Sequence, residues 1–334
     1  MVFWREFFKK IKRENGAKNA IIFPGQSTQR VGMAIKVSPE IMQGLYAQME
    51  GVLGADITLR IQKLVSTDPA VVTPEEKKKM ESELLQTQNA QLAVFLVSLA
   101  KFQEYASSDE FKTPTFMLGH SLGECTALVA SGAMSVEDGF RLVFYRGGQM
   151  NLAATLRKGG MVAVRGDIIN KTIGLCLRKG ADVEIANYNT PHEIVVSGGV
   201  ESTERVAEAL REVKDFSMVK RLAVAGAFHH PIYMQSVEGA LERFFEEFQV
   251  KIREPVFNVV FNYTGRDESD PKRIKTYIIK QPTNTVRWRQ SIEFLNEKGI
   301  RRAEDIKEIG SRIFTRQLAD FPDFEENKRI ESIG

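Results

Sequence analysis

The chain has 334 residues, 43% hydrophobic and 27% charged, which sets aside disordered and fibrous classes. A net charge of +3, with no basic stripe interleaved with aromatics, is too small to argue for nucleic acid. The two cysteines, Cys125 and Cys176, lack metal-ligand spacing, so no zinc site is expected and a reducing compartment is implied; no apolar run is long enough to span a membrane.

At the N-terminus Val2, Phe3, Trp4, Phe7, Phe8 and Ile11 recur at helical spacing, with Arg5, Lys9, Lys10, Lys12 and Arg13 on the other face. This is a basic amphipathic helix rather than a secretory signal. It reads either as an organelle-targeting segment, against which Glu6 and Glu14 weigh, or as a surface helix packing its aromatic face on the body. Ala20 to Phe23 is a short apolar strand ended by Pro24-Gly25. Residues 39–110 read mostly as helices. Leu84 to Phe102 is the longest apolar pattern, with Leu92, Phe95, Leu96 and Leu99 on one stripe. Thr113-Pro114 leads into a strand, Thr115 to Leu118, and Glu124 to Ala130 reads as a buried helix. Strand, glycine turn and buried helix is the order of an α/β sheet with a site at the strand's carboxyl end.

From about Gly159 the rhythm changes. Strands at Met161 to Val164, Val183 to Ala186, Ile194 to Ser197 and Met218 to Val224 alternate with helices at Ile168 to Arg178 and Ser202 to Val213. This β-α-β-β-α-β order is that of a ferredoxin-like unit. The expected fold is therefore α/β, an α/β-hydrolase-like core with an inserted ferredoxin-like small domain. Residues 1–19 form the extension, 20–157 and 225–320 the large domain, 158–224 the insert, and 321–334 a solvated tail.

Gly119-His120-Ser121-Leu122-Gly123 sits where strand turns into helix. Two residues without β-carbons let the elements approach, and the turn lifts the serine oxygen out of the sheet. The helix that follows aims free N–H groups at the same point, which suits an oxyanion. The plainer alternative is a glycine turn with no chemistry. A serine nucleophile needs a base. Of the four histidines, His120 is the serine's neighbour and points elsewhere on such a turn, and His192 lies in the smaller unit. His229 and His230 remain, after Gly226-Ala227-Phe228.

Phe23-Pro24-Gly25-Gln26, Gly119 to Glu124, and Gly226-Ala227-Phe228-His229 occur in the order found in malonyl-CoA:acyl carrier protein transacylases. The chain resembles that family, and the acyltransferase domains of fatty acid and polyketide synthases, from about residue 20 to about 315. The resemblance implies malonyl transfer to an acyl carrier protein for type II fatty acid synthesis, by a monomer that uses neither metal nor bound cofactor. It makes Ser121 the nucleophile, His229 the base and later the acid, and the backbone N–H groups of Gln26 and Leu122 the oxyanion hole. Arg146, in Phe144-Tyr145-Arg146-Gly147, matches the arginine that grips the malonate carboxylate, a task suited to a planar guanidinium. By itself Arg146 would read as a surface helix charge. Gln281 matches a glutamine near the histidine, which the family orients with a neutral acceptor. Asn189 and Gln88 match positions near the site and also read as ordinary structural amides. His120 belongs to the same substrate-binding set. Phe228 before the histidine is the family's mark of malonyl over methylmalonyl units.

The sequence departs from the family in three places. Ser27-Thr28 replaces Gly-Ser after Gln26, Ile309-Gly310-Ser311-Arg312 replaces a Gly-Pro-Gly turn, and His230 stands where a small residue is common. Two rival readings follow: a serine hydrolase or thioesterase on the same turn, and a catalytically retired relative that binds an acyl carrier protein as a scaffold. The basic N-terminus and the departures point to the mitochondrial matrix, with the bacterial cytoplasm as the alternative.

Overall fold

The computed structural model describes residues 2–11, 18–166, 174, 182–214, 216–324 and 332–333. The larger sheet is made of β1 (Ala20–Phe23), β2 (Phe116–Gly119), β7 (Asn258–Phe261), β8 (Arg266–Glu268), β9 (Ile306–Ile309) and β10 (Ser332–Ile333). Its strand order is β10-β9-β1-β2-β7-β8. All pair in parallel except the edge strand β8. Every residue of β1 and β2 is buried, as expected of parallel strands covered on both faces. The side chains alternate. Ile21, Phe23, Met117, Val259 and Phe261 face one core, while Ala20, Ile22, Phe116, Leu118 and Val260 face the other.

The first core is built with α2 (Pro39–Leu53), α3 (Ala55–Ser66), α4 (Pro74–Leu84), α5 (Thr87–Ala106), α6 (Leu122–Ala130) and α7 (Val136–Leu156). The four helices α2 to α5 match the helical reading of residues 39–110. The single stripe expected on α5 is a correction: nearly all of Thr87 to Gln103 is buried, so this helix is enclosed rather than amphipathic. Helix α7 has no clear signature in the sequence, because Arg141, Arg146, Gly139, Gly147 and Gly148 blur its apolar face. The second core holds Trp288, Ile292 and Leu295 of α11 (Trp288–Glu297) with Phe321 and Phe324, and Ser332–Ile333 pair with β9, so the solvated tail expected over 321–334 is corrected at these residues.

Helix α1 (Val2–Lys10) lays Trp4 and Phe7 on the body. Trp4 stacks on Phe102 with centroids 5.9 Å apart, and Phe7 meets Phe102, Phe111 and Phe257. Two buried aromatics contribute several kcal/mol of burial free energy, on the order of 2–3 each. The aromatic face is thus used in packing, as the surface-helix reading requires.

The smaller sheet is antiparallel, with strands β3 (Gly159–Gly166), β4 (Val183–Thr190), β5 (Glu193–Gly199) and β6 (Phe216–Arg221). Their order is β4-β5-β3-β6. Helix α8 (Val200–Arg211) places Val206, Ala207 and Leu210 against Val162, Val164 and Val196. The helix expected over Ile168 to Arg178 lies outside the described residues apart from Gly174. Past β6 the chain returns to the first core, where α9 (Gln235–Glu247) buries Val237, Leu241 and Phe244, and α10 (Pro271–Lys280) buries Ile274 and Ile278. Backbone bonds join β4 to the segment before α11: Tyr188 N–H donates to Val286 O at 3.0 Å, and Val286 N–H to Ala186 O at 2.8 Å.

Candidate active site

Ser121 lies between β2 and α6 with φ 51° and ψ −103°. A side chain rarely adopts that conformation, at a cost of about 1–3 kcal/mol. The flanking glycines make the turn possible: a Cβ on Gly119 would lie 2.0 Å from the Gly123 carbonyl carbon, and one on Gly123 2.3 Å from Phe23 O. Asn262, just past β7, holds the turn from the neighbouring strand. Its Oδ1 accepts from Ser121 N at 2.6 Å and its Nδ2 donates to Gly119 O at 2.8 Å. Its own N–H donates to Glu124 Oε2 at 2.6 Å. The sequence reading does not find Asn262; the available signal is one polar residue ending the apolar run of Val259, Val260 and Phe261.

His229 Nε2 is 2.8 Å from Ser121 Oγ, and His229 Nδ1 is 3.0 Å from the backbone oxygen of Gln281. A carbonyl only accepts, so Nδ1 carries the proton and Nε2 is left to accept from the serine hydroxyl. Burial, then the charge of Arg146, pushes the His229 pKa down to about 3, so the imidazole is neutral at ordinary pH. His230 turns away: its Nε2 donates to Asp182 O at 2.9 Å and its Nδ1 accepts from Ile232 N at 3.2 Å.

Arg146 is not a surface charge. It is 1% exposed, on α7, and points at the nucleophile. Its Nη1 donates to Gln91 Oε1 at 2.6 Å; its Nη2 donates to Gln281 Oε1 at 2.7 Å and to Ser121 Oγ at 3.1 Å. All three acceptors are neutral, and among the described residues Arg146 has no carboxylate within salt-bridge distance; the Glu124 carboxyl, on the far side of Gln281, acts on its charge without touching it. A buried guanidinium with no direct ion pair keeps much of its desolvation cost, which an incoming carboxylate would offset. Gln281 Nε2 donates to Ser121 O at 2.8 Å and to Glu124 Oε1 at 3.0 Å. Burial raises the Glu124 carboxyl pKa to about 7. Glu124 and Gln91 join Asn262 as residues the sequence reading does not single out. Cys125, beside Glu124, is buried and its thiol is pushed up to about 11, so it stays protonated.

The other expected residues divide. Leu122 is the first residue of α6, where a helix leaves its N–H without an intrahelical acceptor. Gln26 follows Gly25, whose added Cβ would lie 2.5 Å from His120 O, and its Oε1 accepts from Gln91 Nε2 at 3.3 Å. Ser27, where the resemblance expects a glycine, takes φ +84°, a left-handed conformation that glycine adopts at less cost. His120 joins the two sheets: its Nε2 is 3.1 Å from Asn189 Oδ1 and 3.3 Å from Asn187 Nδ2, and its ring packs on Phe314 and Trp288. Burial lowers its pKa to about 4, so it is neutral. Phe228 is buried next to His229. Gln88 is not brought to the serine. Its Nε2 donates to Phe144 O at 3.0 Å, and its backbone packs against Gly147 where α5 crosses α7. Gln91, one turn further along α5, reaches Arg146 instead. Gly310 holds φ +82°, so a left-handed glycine survives in the late turn and Phe314 is delivered to His120.

A neutral histidine on a strained serine, beside an unpaired buried arginine, defines a serine acyl-transfer centre. A model of the acyl transferase domain family matches residues 20–303, and the chain belongs to that family. PksC of Bacillus subtilis, a malonyl CoA-acyl carrier protein transacylase of polyketide biosynthesis, is 31% identical over 287 residues, covering 85% of this chain and 91% of that protein. The polyketide biosynthesis protein ThaF of Burkholderia thailandensis is 32% identical over 294 residues, 88% of this chain but 23% of ThaF. A solved structure of a malonyl-transacylase bound to a type II polyketide synthase acyl carrier protein superposes with a TM-score of 0.79 at 27% identity, over 91% of this chain and 92% of that one. Both curated relatives are bacterial, so the mitochondrial expectation finds no support in them.

Proposed function

We propose that the protein transfers malonyl from malonyl-CoA to the phosphopantetheine thiol of an acyl carrier protein through a malonyl-Ser121 ester. The observation that carries this reading is Arg146, buried, unpaired and 3.1 Å from the nucleophile. A neutral acyl group would leave that charge uncompensated; a malonate carboxylate pairs with it.

In the first half-reaction Ser121 Oγ attacks the thioester carbonyl as its proton passes to His229 Nε2. The N–H groups of Gln26 and Leu122 hold the oxyanion. The C–S bond then breaks and His229 returns the proton to the departing thiolate. In the second, a phosphopantetheine thiol gives its proton to His229 and attacks the ester, and Ser121 takes the proton back. The carboxylate also prepares the base. By neutralising Arg146 it removes the second cause of the low His229 pKa, so His229 becomes more basic when malonyl is in place.

Residues 158–224 act in this reading as a ferredoxin-like insert in an α/β-hydrolase-like large domain. The strand order β4-β5-β3-β6 supports the first part, and the strand-turn-helix around Ser121 the second. The resemblance to the family keeps a monomer as the expected working form. The bacterial relatives, and the packing of α1, favour the bacterial cytoplasm over the matrix. The carrier belongs to fatty acid or polyketide biosynthesis. Incubation with malonyl-CoA, followed by intact-mass analysis with and without a carrier protein, is the test. A malonyl adduct absent from Ser121→Ala and passed to the carrier faster than to water supports transfer. Release to water at the same rate would make the protein a hydrolase, and no adduct would make it a scaffold.

A further inference from the structure

Two buried amides make opposite demands on one nitrogen of His120. Its Nε2 lies 3.1 Å from Asn189 Oδ1 and 3.3 Å from Asn187 Nδ2. An amide oxygen accepts and an amide nitrogen donates, so the first contact needs a proton on Nε2 and the second a lone pair there. Among the described residues His120 Nδ1 has no hydrogen-bond partner to decide between them.

The decision comes from Glu193, at the start of β5. Its Oε1 accepts from Asn189 Nδ2 at 2.8 Å. A carboxylate only accepts, so the NH₂ of Asn189 faces Glu193 and its oxygen faces His120. His120 is thereby held with the proton on Nε2 and with Nδ1 bare. The same carboxylate accepts from Arg165 Nη1 of β3 at 3.4 Å and from Gln317 Nε2 at 3.3 Å. Gln317 ends α12 (Ile313–Gln317), the helix whose Phe314 ring stacks on His120 at 5.3 Å. Phe314 and Gln317 are three positions apart, so one face of α12 holds both the ring and the carboxylate that governs it. Asp320, in the turn that follows, pairs with Arg165. The side chains of Glu193 and Asp320 are only 15% and 10% exposed, so water competes little for these bonds.

The tautomer matters because of where the ring sits. A Cβ added to Gly25 would lie 3.5 Å from His120 Nδ1, so this nitrogen lies against the residue that precedes Gln26. The backbone of His120 donates to Phe23 O at 3.2 Å and accepts from Gly123 N at 3.0 Å. The ring is thus wedged between the loop that supplies one oxyanion donor and the turn that carries Ser121. A proton moved to Nδ1 would set a donor there in place of a lone pair.

We propose that Glu193 is a positioning residue for acyl transfer: through Asn189 it fixes the tautomer of His120, and so the surroundings of the oxyanion loop, from the smaller sheet. The kinetic part of the proposal rests on the malonyl-transfer reading; the tautomer does not.

Glu193→Gln keeps the shape and removes one acceptor. With its oxygen on Arg165, the introduced amide turns its NH₂ to Asn189 and to Gln317, whose Oε1 is buried and without a partner. Asn189 must then turn its own NH₂ to His120, as Asn187 already does, and the proton moves to Nδ1. Nitrogen-15 labelling of the histidines and long-range proton–nitrogen correlation spectra read this directly, with the His120 signals identified by their absence from His120→Gln. The unmodified protein should show the proton on Nε2, and Glu193→Gln on Nδ1. In Glu193→Gln kcat for malonyl loading should fall by about three- to tenfold, the scale of one hydrogen bond, with KM within about twofold. Gln317→Ala loosens the same corner but leaves Glu193 facing Asn189, so its tautomer should not change. An Nδ1 proton in the unmodified protein, an unchanged tautomer in Glu193→Gln, or the same change in Gln317→Ala would overturn the relay. A changed tautomer with unchanged kcat would overturn its part in catalysis. If the unmodified protein forms no malonyl adduct, the transfer reading falls and takes the catalytic role with it, while the spectra still decide whether Glu193 sets the tautomer.

Discussion

Arg146 and His229 are both set by Gln281. The side-chain oxygen of Gln281 accepts from Arg146 Nη2 at 2.7 Å, and its backbone oxygen accepts from His229 Nδ1 at 3.0 Å. The 3₁₀ turn Gln281–Thr283 that follows α10 fixes this backbone. The group that selects the acyl chain and the group that moves the proton therefore share one anchor. No triad carboxylate touches the histidine among the described residues, so its tautomer is fixed by a neutral acceptor and no negative charge raises its basicity.

Arg146→Ala should separate selection from chemistry. Losing one member of a buried charge pair costs about 3–5 kcal/mol, so malonyl loading should fall by roughly two to four orders of magnitude. Acetyl loading needs no clamp and should stay within about tenfold or rise. Adduct formation timed by intact mass with malonyl- and acetyl-CoA measures both. An equal fall for the two substrates would show that Arg146 only supports the fold.

The same substitution should shift the histidine. The folded His229 pKa lies near 3, below its usual value of 6.5, with burial the larger cause and Arg146 the second. Acetyl loading by the unmodified protein should therefore show no histidine limb between about pH 5.5 and 7. In Arg146→Ala the limb should move up toward neutrality. The sign for stability follows from the lowered pKa: the unfolded chain binds the proton more readily, so stability falls as pH drops from 6.5 toward 3. A histidine limb near pH 6.5 in the unmodified protein would contradict the burial and charge around His229.

The reacting residues are legible because each lies on a local pattern. Gly119 and Gly123 announce the turn around Ser121, and an apolar strand before it and a buried helix after it give the turn its place. The supporting residues are not legible, because their roles are made by the fold. Asn262 lies 141 positions from Ser121 and acts only because β7 pairs with β2. Gln91 outranks Gln88 because the α5–α7 crossing, tight at Gly147, turns one and not the other toward Arg146. The periodicity of α5 misleads for a related reason. A helix enclosed on all sides has no polar face, and its buried Gln91, Ser98 and Lys101 look like the solvent side of an amphipathic one. In the smaller sheet the alternation of Val162 and Val164 against Ile194 and Val196 can be read directly, because one face packs on α8.

Glu124→Gln should change how stability depends on pH. Burial raises the folded pKa of Glu124 to about 7, from an ordinary 4.5. Between those values the folded state holds the proton that the unfolded chain has released, so this residue's contribution falls as pH rises from 4.5 through 7. Glutamine cannot ionise. The stability of Glu124→Gln relative to the unmodified protein should therefore improve from about pH 5 to pH 8, by on the order of 3 kcal/mol at most. Urea unfolding at the two pH values measures this. The substitution should also weaken malonyl selectivity. If the oxygen of the introduced amide accepts from Asn262 N, its nitrogen faces Gln281 Nε2, and the Gln281 amide must turn its NH₂ toward Arg146. A parallel pH dependence in both proteins would mean that Glu124 keeps one charge state throughout.

Ser27→Gly tests the departure beside the oxyanion loop. Ser27 holds φ +84°, and its N–H donates to Gln29 Oε1 at 2.7 Å. That bond uses the backbone and survives the substitution. A side chain in left-handed conformation costs about 1–2 kcal/mol, and glycine removes most of it at the expense of a more flexible unfolded chain. The net effect should be a gain of roughly 0.5–1 kcal/mol in thermal or urea unfolding. Because glycine adopts a positive φ readily, the substitution lets the backbone stay as it is, the Gln26 N–H keeps its place, and malonyl loading should change by less than about twofold. A loading rate that rises by an order of magnitude would instead mean that Ser27 displaces the oxyanion donor, and that this chain works below the rate its nucleophile allows.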